Sequence, residues 1–163
     1  MEYSRSSAVC VAMEPANIVL VLWTALVLYC FGQIWFVQIV IYPLFKMVGE
    51  RDYVTYHHFY ASHIPLPVIL PGFTCFLFPL ALIFWGPGSI PIWLYWLNVA
   101  AGLVGLAVTL FLEIPRHALL EKHGKDFQVI GELIRYNWPR TASISLQALL
   151  AAIMLTYIVM PVS

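Results

Sequence analysis

The sequence predicts an all-α integral membrane protein, a four-helix bundle that forms a single transmembrane domain over residues 1–163. Three observations predict it. The chain is 62% hydrophobic and only 10% charged, whereas soluble domains carry about 25% charged residues. Four apolar stretches are each long enough to cross a bilayer. The polar residues are gathered in the connections. The formal net charge of zero gives no basic surface, which argues against nucleic-acid binding.

The first span is predicted at about residues 17–45, after a short frayed tail at residues 1–16. Asn17 is a suitable N-cap. The stretch is longer than the roughly 20 residues that a crossing needs, so this helix tilts or projects beyond the lipid. Pro43 marks a kink or an end near the headgroups. Gln33 and Gln38 are expected to face other helices, because an amide facing hydrocarbon is unfavourable.

A polar segment, residues 46–63, follows the first span and carries a helical stripe. Its members recur at i, i+3, i+4, i+7 and i+10, which places them on one helix face; they are Tyr53, Tyr56, His57, Tyr60 and His63. One interpretation is an aromatic belt at the membrane interface. The other is that His57 and His63 point into a polar pocket, with His58 on a different face.

The second and third spans are predicted at about residues 64–85 and 92–113. Four prolines make the second span irregular, and neighbouring helices must satisfy the carbonyl groups that they free; they are Pro65, Pro67, Pro71 and Pro79. The third span carries a zone of small residues that favours close helix approach. This zone comprises Ala100, Ala101, Gly102, Gly105 and Ala107.

The longest polar run of the chain, residues 113–140, lies between the third span and the fourth, which is predicted at about residues 141–162. From Asp126 onward, apolar residues at helical spacing predict a separate amphipathic helix lying on the membrane surface. Pro139 suits the first turn of the fourth span. Arg140 would then stand at a helix N-terminus, where a cation is unfavourable unless an acid or an anionic ligand offsets it.

The distribution of basic residues predicts the orientation. Four spans put both termini on one side, which holds only Arg5. The other side holds seven basic residues, an asymmetry that predicts a cytoplasmic location for the polar connections and an outer, periplasmic location for the termini. The seven are Lys46, Arg51, Arg116, Lys122, Lys125, Arg135 and Arg140.

The candidate catalytic residues are His57, Glu113, His117 and Arg140. Glu113 and His117 stand four apart and share a face if the helix continues through Pro115. With His57 they could supply a carboxylate and two imidazoles to a transition metal. The alternative is that Glu113 pairs with an arginine and the histidines make interfacial hydrogen bonds. Arg140 could instead reach phosphate headgroups. Asn137 and Arg135 are candidate cofactor-binding residues.

Several short motifs resemble those of known membrane proteins. The pattern Tyr42-Pro43, Tyr56-His57, Ile114-Pro115-x-His117 and Asn137-Trp138-x-Arg140 resembles a group of small four-helix bacterial membrane proteins whose functions are mostly unknown. Over residues 18–162 the chain is also loosely similar to the anthrone-oxygenase-like membrane family. The resemblance implies a helical bundle with a polar pocket near one membrane face, oxidation of a hydrophobic substrate, and roles for His57, His117, Asn137 and Arg140.

Two functions of different classes follow from these patterns. The first is a membrane-embedded oxidoreductase that acts on a hydrophobic small molecule at the cytoplasmic boundary, with histidine as base or ligand and arginine stabilising negative charge. The second is a non-catalytic accessory subunit that packs against a larger membrane complex or another copy of the chain. In both cases the lipid bilayer surrounds the spans.

Overall fold

A computed structural model describes residues 14–160, and no β-strand occurs among them. Five helices follow one another: α1 is Pro15–Phe45, α2 is Glu50–His63, α3 is Pro65–Trp85, α4 is Ile92–His123 and α5 is Phe127–Val159. All except α2 are long and apolar enough to cross a membrane. The predicted four-span helical bundle is therefore confirmed. The expected N-terminal tail up to residue 13 and the last residues of the fourth span lie outside the described part of the chain.

The predicted surface helix between spans three and four is wrong, because α5 is one helix of 33 residues. Asp126 caps it, its Oδ1 accepting hydrogen bonds from the Gln128 and Val129 amides at 2.7 and 3.1 Å. The helix does not restart at Pro139, so Arg140 lies near its middle and not at an N-terminus. The physical reason is a continuous buried face, which passes through residues on both sides of the proline: Ile130, Leu133, Asn137, Arg140, Thr141 and Ile144.

Helix α4 likewise passes through Pro115 and ends at His123, ten residues beyond the predicted end of the third span. Glu113 and His117 therefore share one helix, as the sequence required for them to act together. The polar connection predicted between the third and fourth spans consists instead of the end of α4 and the start of α5. A short turn at Gly124, whose φ of 82° suits glycine, joins these two helices.

Three prolines widen the helices that contain them. The π-helical turns are Val37–Ile41, Pro65–Ile69 and Thr109–Glu113. The residues four positions before Pro43, Pro71 and Pro115 are the central residues of these turns. Proline has no N–H to donate and its ring crowds the carbonyl at that position, so a wider turn relieves the crowding. π-turns within α-helices are frequent at functional sites.

Side chains from neighbouring helices satisfy the carbonyl groups that prolines leave free. The Pro67 carbonyl, four residues before Pro71, accepts a hydrogen bond from Gln33 Nε2 at 2.6 Å and one from Tyr29 Oη at 3.0 Å. The Cys75 carbonyl, four residues before Pro79, accepts one from Gln147 Nε2 at 3.2 Å. These bonds fasten α3 to α1 and to α5, so the prolines contribute to helix association.

Two apolar cores hold the bundle. The larger lies among the spans, where Gly102 and Gly105 of α4 approach Phe76 of α3 so closely that a Cβ atom would collide with it. This contact confirms the role predicted for the small-residue zone. The smaller core joins α2 to the ends of α1, α4 and α5; its buried members are Val37, Tyr42, Phe45, Tyr53, Leu120, Ile130 and Leu133.

A layer of buried polar groups lies beside the smaller core. Gln38 is 2% exposed and donates a hydrogen bond to the Ile134 carbonyl at 3.0 Å, so it faces another helix as predicted. Lys125 Nζ donates to the carbonyl groups of Lys46 and Val48 at 3.0 and 2.5 Å, which ties the start of α5 to the end of α1. These contacts fix the frame of the site described next.

Candidate functional site

A cavity of about 280 Å³ lies between α2, α3 and α4, with contributions from α1 and α5. All three π-helical turns line it. Its volume is near the lower end of the roughly 300–1,000 Å³ typical of small-molecule pockets. Most of the wall is apolar, and the polar side chains that line it are Tyr42, Tyr60, Thr109, Glu113, His117, Glu121 and Arg140.

Four polar side chains from three helices, of which His117 is half-buried and the others are buried, form a hydrogen-bonded chain that ends at this cavity. Tyr42 Oη donates to Glu113 Oε2 at 2.8 Å and lies 3.2 Å from His117 Nε2. His117 Nδ1 lies 3.1 Å from His57 Nε2. The order is therefore Glu113, Tyr42, His117, His57, which we call the polar chain. The sequence-predicted residues His57, Glu113 and His117 are all brought together in it.

The single hydroxyl proton of Tyr42 fixes the protonation pattern. While Tyr42 donates to Glu113, its oxygen must accept from His117, so His117 carries its proton on Nε2. His117 Nδ1 is then an acceptor, and His57 donates to it from Nε2. Adding a proton at His57 Nδ1 and shifting each bonded proton one step along would deliver a proton to Glu113 and reverse all three bonds. The polar chain is thus built as a proton relay.

Both ends of the polar chain are buried and unpartnered. Among residues 14–160, His57 Nδ1 and Glu113 Oε1 have no hydrogen-bond partner, although Glu113 is 1% exposed and His57 fully buried. Buried polar atoms are rarely left unsatisfied, so each free atom indicates a place where a ligand group, a water molecule or a proton is exchanged. Glu113 lines the cavity, and its free oxygen is the one available to a bound molecule.

Aromatic rings hold the two imidazoles in place. The His57 ring stacks on Tyr53 and on His117, with centroids 5.9 and 5.3 Å apart. Phe45 meets both imidazoles edge-on, at 5.6 and 6.1 Å. Burial in these surroundings lowers the pKa of His57 and raises the pKa of Tyr53 to about 12. Both groups are therefore neutral at physiological pH.

Arg140 is the cation of the cavity. Its side chain is 6% exposed, and its Nε has no hydrogen-bond partner. It makes no ion pair within residues 14–160, where the ion pairs are His58–Glu121 and Arg116–Glu132. The burial shows that Arg140 does not extend out of the bundle toward phosphate headgroups, and no ion pair joins it to Glu113.

The other predicted site residues lie elsewhere. Arg135 is exposed and packs over Tyr136, its guanidinium carbon 5.8 Å from the ring centroid, so it does not reach the cavity. Asn137 is buried, but it donates to Gln38 Oε1 at 2.8 Å and is absent from the cavity wall. His63 is exposed and bonds to the Phe59 carbonyl, and neither it nor His57 lines the cavity, so the interpretation that both point into one pocket is wrong.

The candidate metal ligands His57, Glu113 and His117 are hydrogen-bonded in series and do not converge on one point. In the described part of the chain, no three His, Cys, Asp or Glu side chains are grouped in a way that could hold a metal ion. A transition metal bound by this set therefore stays a prediction.

Tyr42 is the functional side chain that sequence reasoning undervalued. Tyr42 is a member of the smaller core, and its hydroxyl also lies between a carboxyl group and an imidazole, which a core role alone does not require. The available signal was the pairing of Tyr42 with Pro43: the proline widens the helix at residues 37–41, and Tyr42 follows that turn directly.

No protein-family model, curated protein or solved structure matches this chain. The resemblance to the anthrone-oxygenase-like family therefore stays a prediction, and the site is interpreted from its own geometry.

Proposed function

We propose that this chain is a membrane-embedded enzyme that transfers a proton to or from a hydrophobic small molecule held in the cavity, in a reaction of the oxidoreductase class. One observation carries the proposal: a cavity within the bundle is lined by a buried carboxyl group that has one free oxygen and forms the end of a four-member hydrogen-bonded chain. Perturbed acids and bases converging on a largely apolar pocket are typical of active sites.

The proposed first step is proton abstraction. A C–H or O–H bond of the substrate breaks, its proton bonds to the Glu113 carboxylate, and the electron pair stays on the substrate. The Arg140 guanidinium, which lines the same cavity, stabilises the negative charge that develops. Oxidation then requires an oxidant that removes electrons from this anion, and dioxygen is the oxidant that the resemblance implies.

The polar chain returns Glu113 to its ionised state. This return requires the reversed bonding pattern, in which protonated Glu113 donates to Tyr42, Tyr42 to His117 Nε2, and His117 Nδ1 to His57 Nε2. From that pattern His57 Nδ1 releases its proton, and each bonded proton shifts one step toward His57. Each donor and acceptor in this sequence is already within hydrogen-bonding distance, at 2.8, 3.2 and 3.1 Å. General acid–base groups of this kind contribute roughly 10²- to 10⁴-fold to a rate.

Entry from the lipid suits the cavity wall. Ile114 and Pro65 line the cavity and are also exposed on the outside of the bundle, so a hydrophobic molecule can approach from the membrane. The excess of Lys and Arg around α2 and the adjoining ends of α4 and α5 supports a cytoplasmic location for this end of the protein. We therefore propose that substrate enters sideways from the inner leaflet.

The test uses an unbiased substrate search. Purified protein in lipid nanodiscs is incubated under air with lipid-soluble extract of the cells that produce it, and products are compared by mass spectrometry. We expect a product that the wild type and Glu50→Gln form, and that Glu113→Gln forms at least a hundredfold more slowly. Glu50 is the matched control because it is an exposed carboxylate away from the cavity.

The accessory-subunit alternative predicts a different outcome. The wild type would form no product that Glu113→Gln lacks, and the chain would co-purify in a fixed ratio with another membrane protein from gently solubilised membranes. That pair of results would overturn the proposed activity.

A further inference from the structure

The buried guanidinium of Arg140 has no anion within ion-pairing distance among residues 14–160, although the Glu113 carboxyl group lines the same cavity. An arginine stays ionised in proteins, and burial of an unpaired charge is strongly unfavourable. Yet Arg140 is 6% exposed, its Nε is unpartnered, and the ion pairs of residues 14–160 do not include it. A group absent from the polypeptide is the simplest source of the missing negative charge.

The space beside Arg140 shows where that group can sit. On one side Arg140 borders a void of about 10 Å³, which has room for no more than about one water molecule. On the other side it lines the cavity of about 280 Å³. Only the larger of these two spaces can accept an organic molecule.

The rest of the cavity wall defines the body of that molecule. Residues from the end of α2 and the π-helical turn of α3 present an apolar surface to the cavity; they are Ala61, Ile64, Pro65, Val68 and Ile69. An amphiphile with one anionic end and an alkyl body matches a wall that has one cation and a mainly apolar lining.

We infer that the cavity binds a lipophilic carboxylic acid, with its carboxylate paired to Arg140 and its alkyl chain along the α3 wall. The planar guanidinium fork matches the two oxygens of a carboxylate in a bidentate pair. A phosphate monoester would add up to two negative charges beside Glu113, whereas a carboxylate adds one, which the single charge of Arg140 offsets. The inference names the substrate class of the proposed enzyme and rests on that proposal for its role, although binding is measured independently of turnover.

The experiment measures binding of lauric acid to the protein in nanodiscs of phosphatidylcholine, by isothermal calorimetry. Methyl laurate has the same alkyl chain without the acid and is the ligand control. Arg140→Gln removes the cation, and Arg135→Gln removes an exposed arginine of the same helix. Losing charge-assisted hydrogen bonds should weaken binding by roughly ten- to a hundredfold in Arg140→Gln, whereas Arg135→Gln should bind as the wild type does.

Two further variants keep the inference testable. Arg140→Lys keeps the charge and loses the planar fork, so its affinity for laurate should lie between those of the wild type and Arg140→Gln. If Arg140→Gln does not fold, the comparison of Arg140→Lys with the wild type still tests the inference. Glu113→Gln removes a neighbouring negative charge, so laurate binding should be retained or strengthened. If Glu113→Gln binds laurate but the wild type never transforms any acid, the proposed activity fails while the binding site stands.

The contrary results are equally specific. Equal affinity of methyl laurate and lauric acid, or equal affinity of the wild type and Arg140→Lys, would overturn the carboxylate–arginine pair. Displacement of laurate by phosphatidylglycerol added to the nanodiscs, with tighter binding of that lipid than of laurate, would identify a phospholipid headgroup as the anion and refute the carboxylic acid.

Discussion

Removing one oxygen atom from the polar chain should destabilise the whole bundle. Tyr42 lies 2% exposed between α1 and α4, donates to Glu113 at 2.8 Å and contacts His117 at 3.2 Å. A hydrogen bond to a charged group contributes about 1.5–3 kcal/mol and a neutral one about 1 kcal/mol. Tyr42→Phe keeps the ring and loses both, so we expect the free energy of unfolding to fall by about 3 kcal/mol.

The assay is SDS-induced unfolding in mixed micelles, followed by far-ultraviolet circular dichroism. Tyr56→Phe is the matched control, because Tyr56 also packs against Phe45 but is only half-buried, and its hydroxyl makes no hydrogen bond within residues 14–160. We expect that variant to change the free energy of unfolding by less than about 0.5 kcal/mol. Equal stabilities of Tyr42→Phe and Tyr56→Phe would refute the idea that the hydroxyl joins Glu113 to His117.

Two further predictions concern packing and pH. Gly102→Ala should destabilise the bundle, because its Cβ would collide with the Phe76 carbonyl, whereas Gly32→Ala meets no atom within 4 Å and should gain stability from the better helix propensity of alanine; the same unfolding assay compares them. Burial lowers the pKa of His57 below its ordinary 6.5, so below that pH the unfolded chain binds a proton that the folded chain does not, and stability falls as the pH falls. His57→Gln should lose less stability than the wild type between pH 7 and 5 in an unfolding titration, and the exposed His123→Gln should behave as the wild type; an unchanged slope in His57→Gln would contradict the burial of a neutral imidazole.

The spans could be predicted from sequence because hydrophobic length is a local property. Each of the four stretches is apolar over more residues than a bilayer crossing requires, whatever it packs against. The positions at which the helices end depend instead on contacts with residues far away in the sequence. Pro115 and Pro139 read as boundaries, but both lie inside helices, since a proline is tolerated wherever a wider turn or a neighbouring side chain accommodates the freed carbonyl. Gln33 and Gln147, far away in sequence, do this for α3.

The sequence allowed us to predict which residues form the candidate site better than which hydrogen bonds join them. Glu113 and His117 are four residues apart, and His57 belongs to a stripe with helical spacing, so their approach followed from pattern and topology. The place of Tyr42 between them depends on the packing of α1 against α4. The same limit applies to Arg135 and Arg140, five residues apart on one helix, of which only Arg140 turns into the cavity.

The most direct test of the polar chain is nitrogen-15 nuclear magnetic resonance of histidine-labelled protein in nanodiscs. If His57 and His117 share an N–H···N hydrogen bond at 3.1 Å, a scalar coupling connects one nitrogen of each ring, and it disappears in His57→Gln but persists in His58→Gln. Two imidazoles that show no such coupling and titrate independently, as exposed histidines do, would contradict the chain and the active site built upon it.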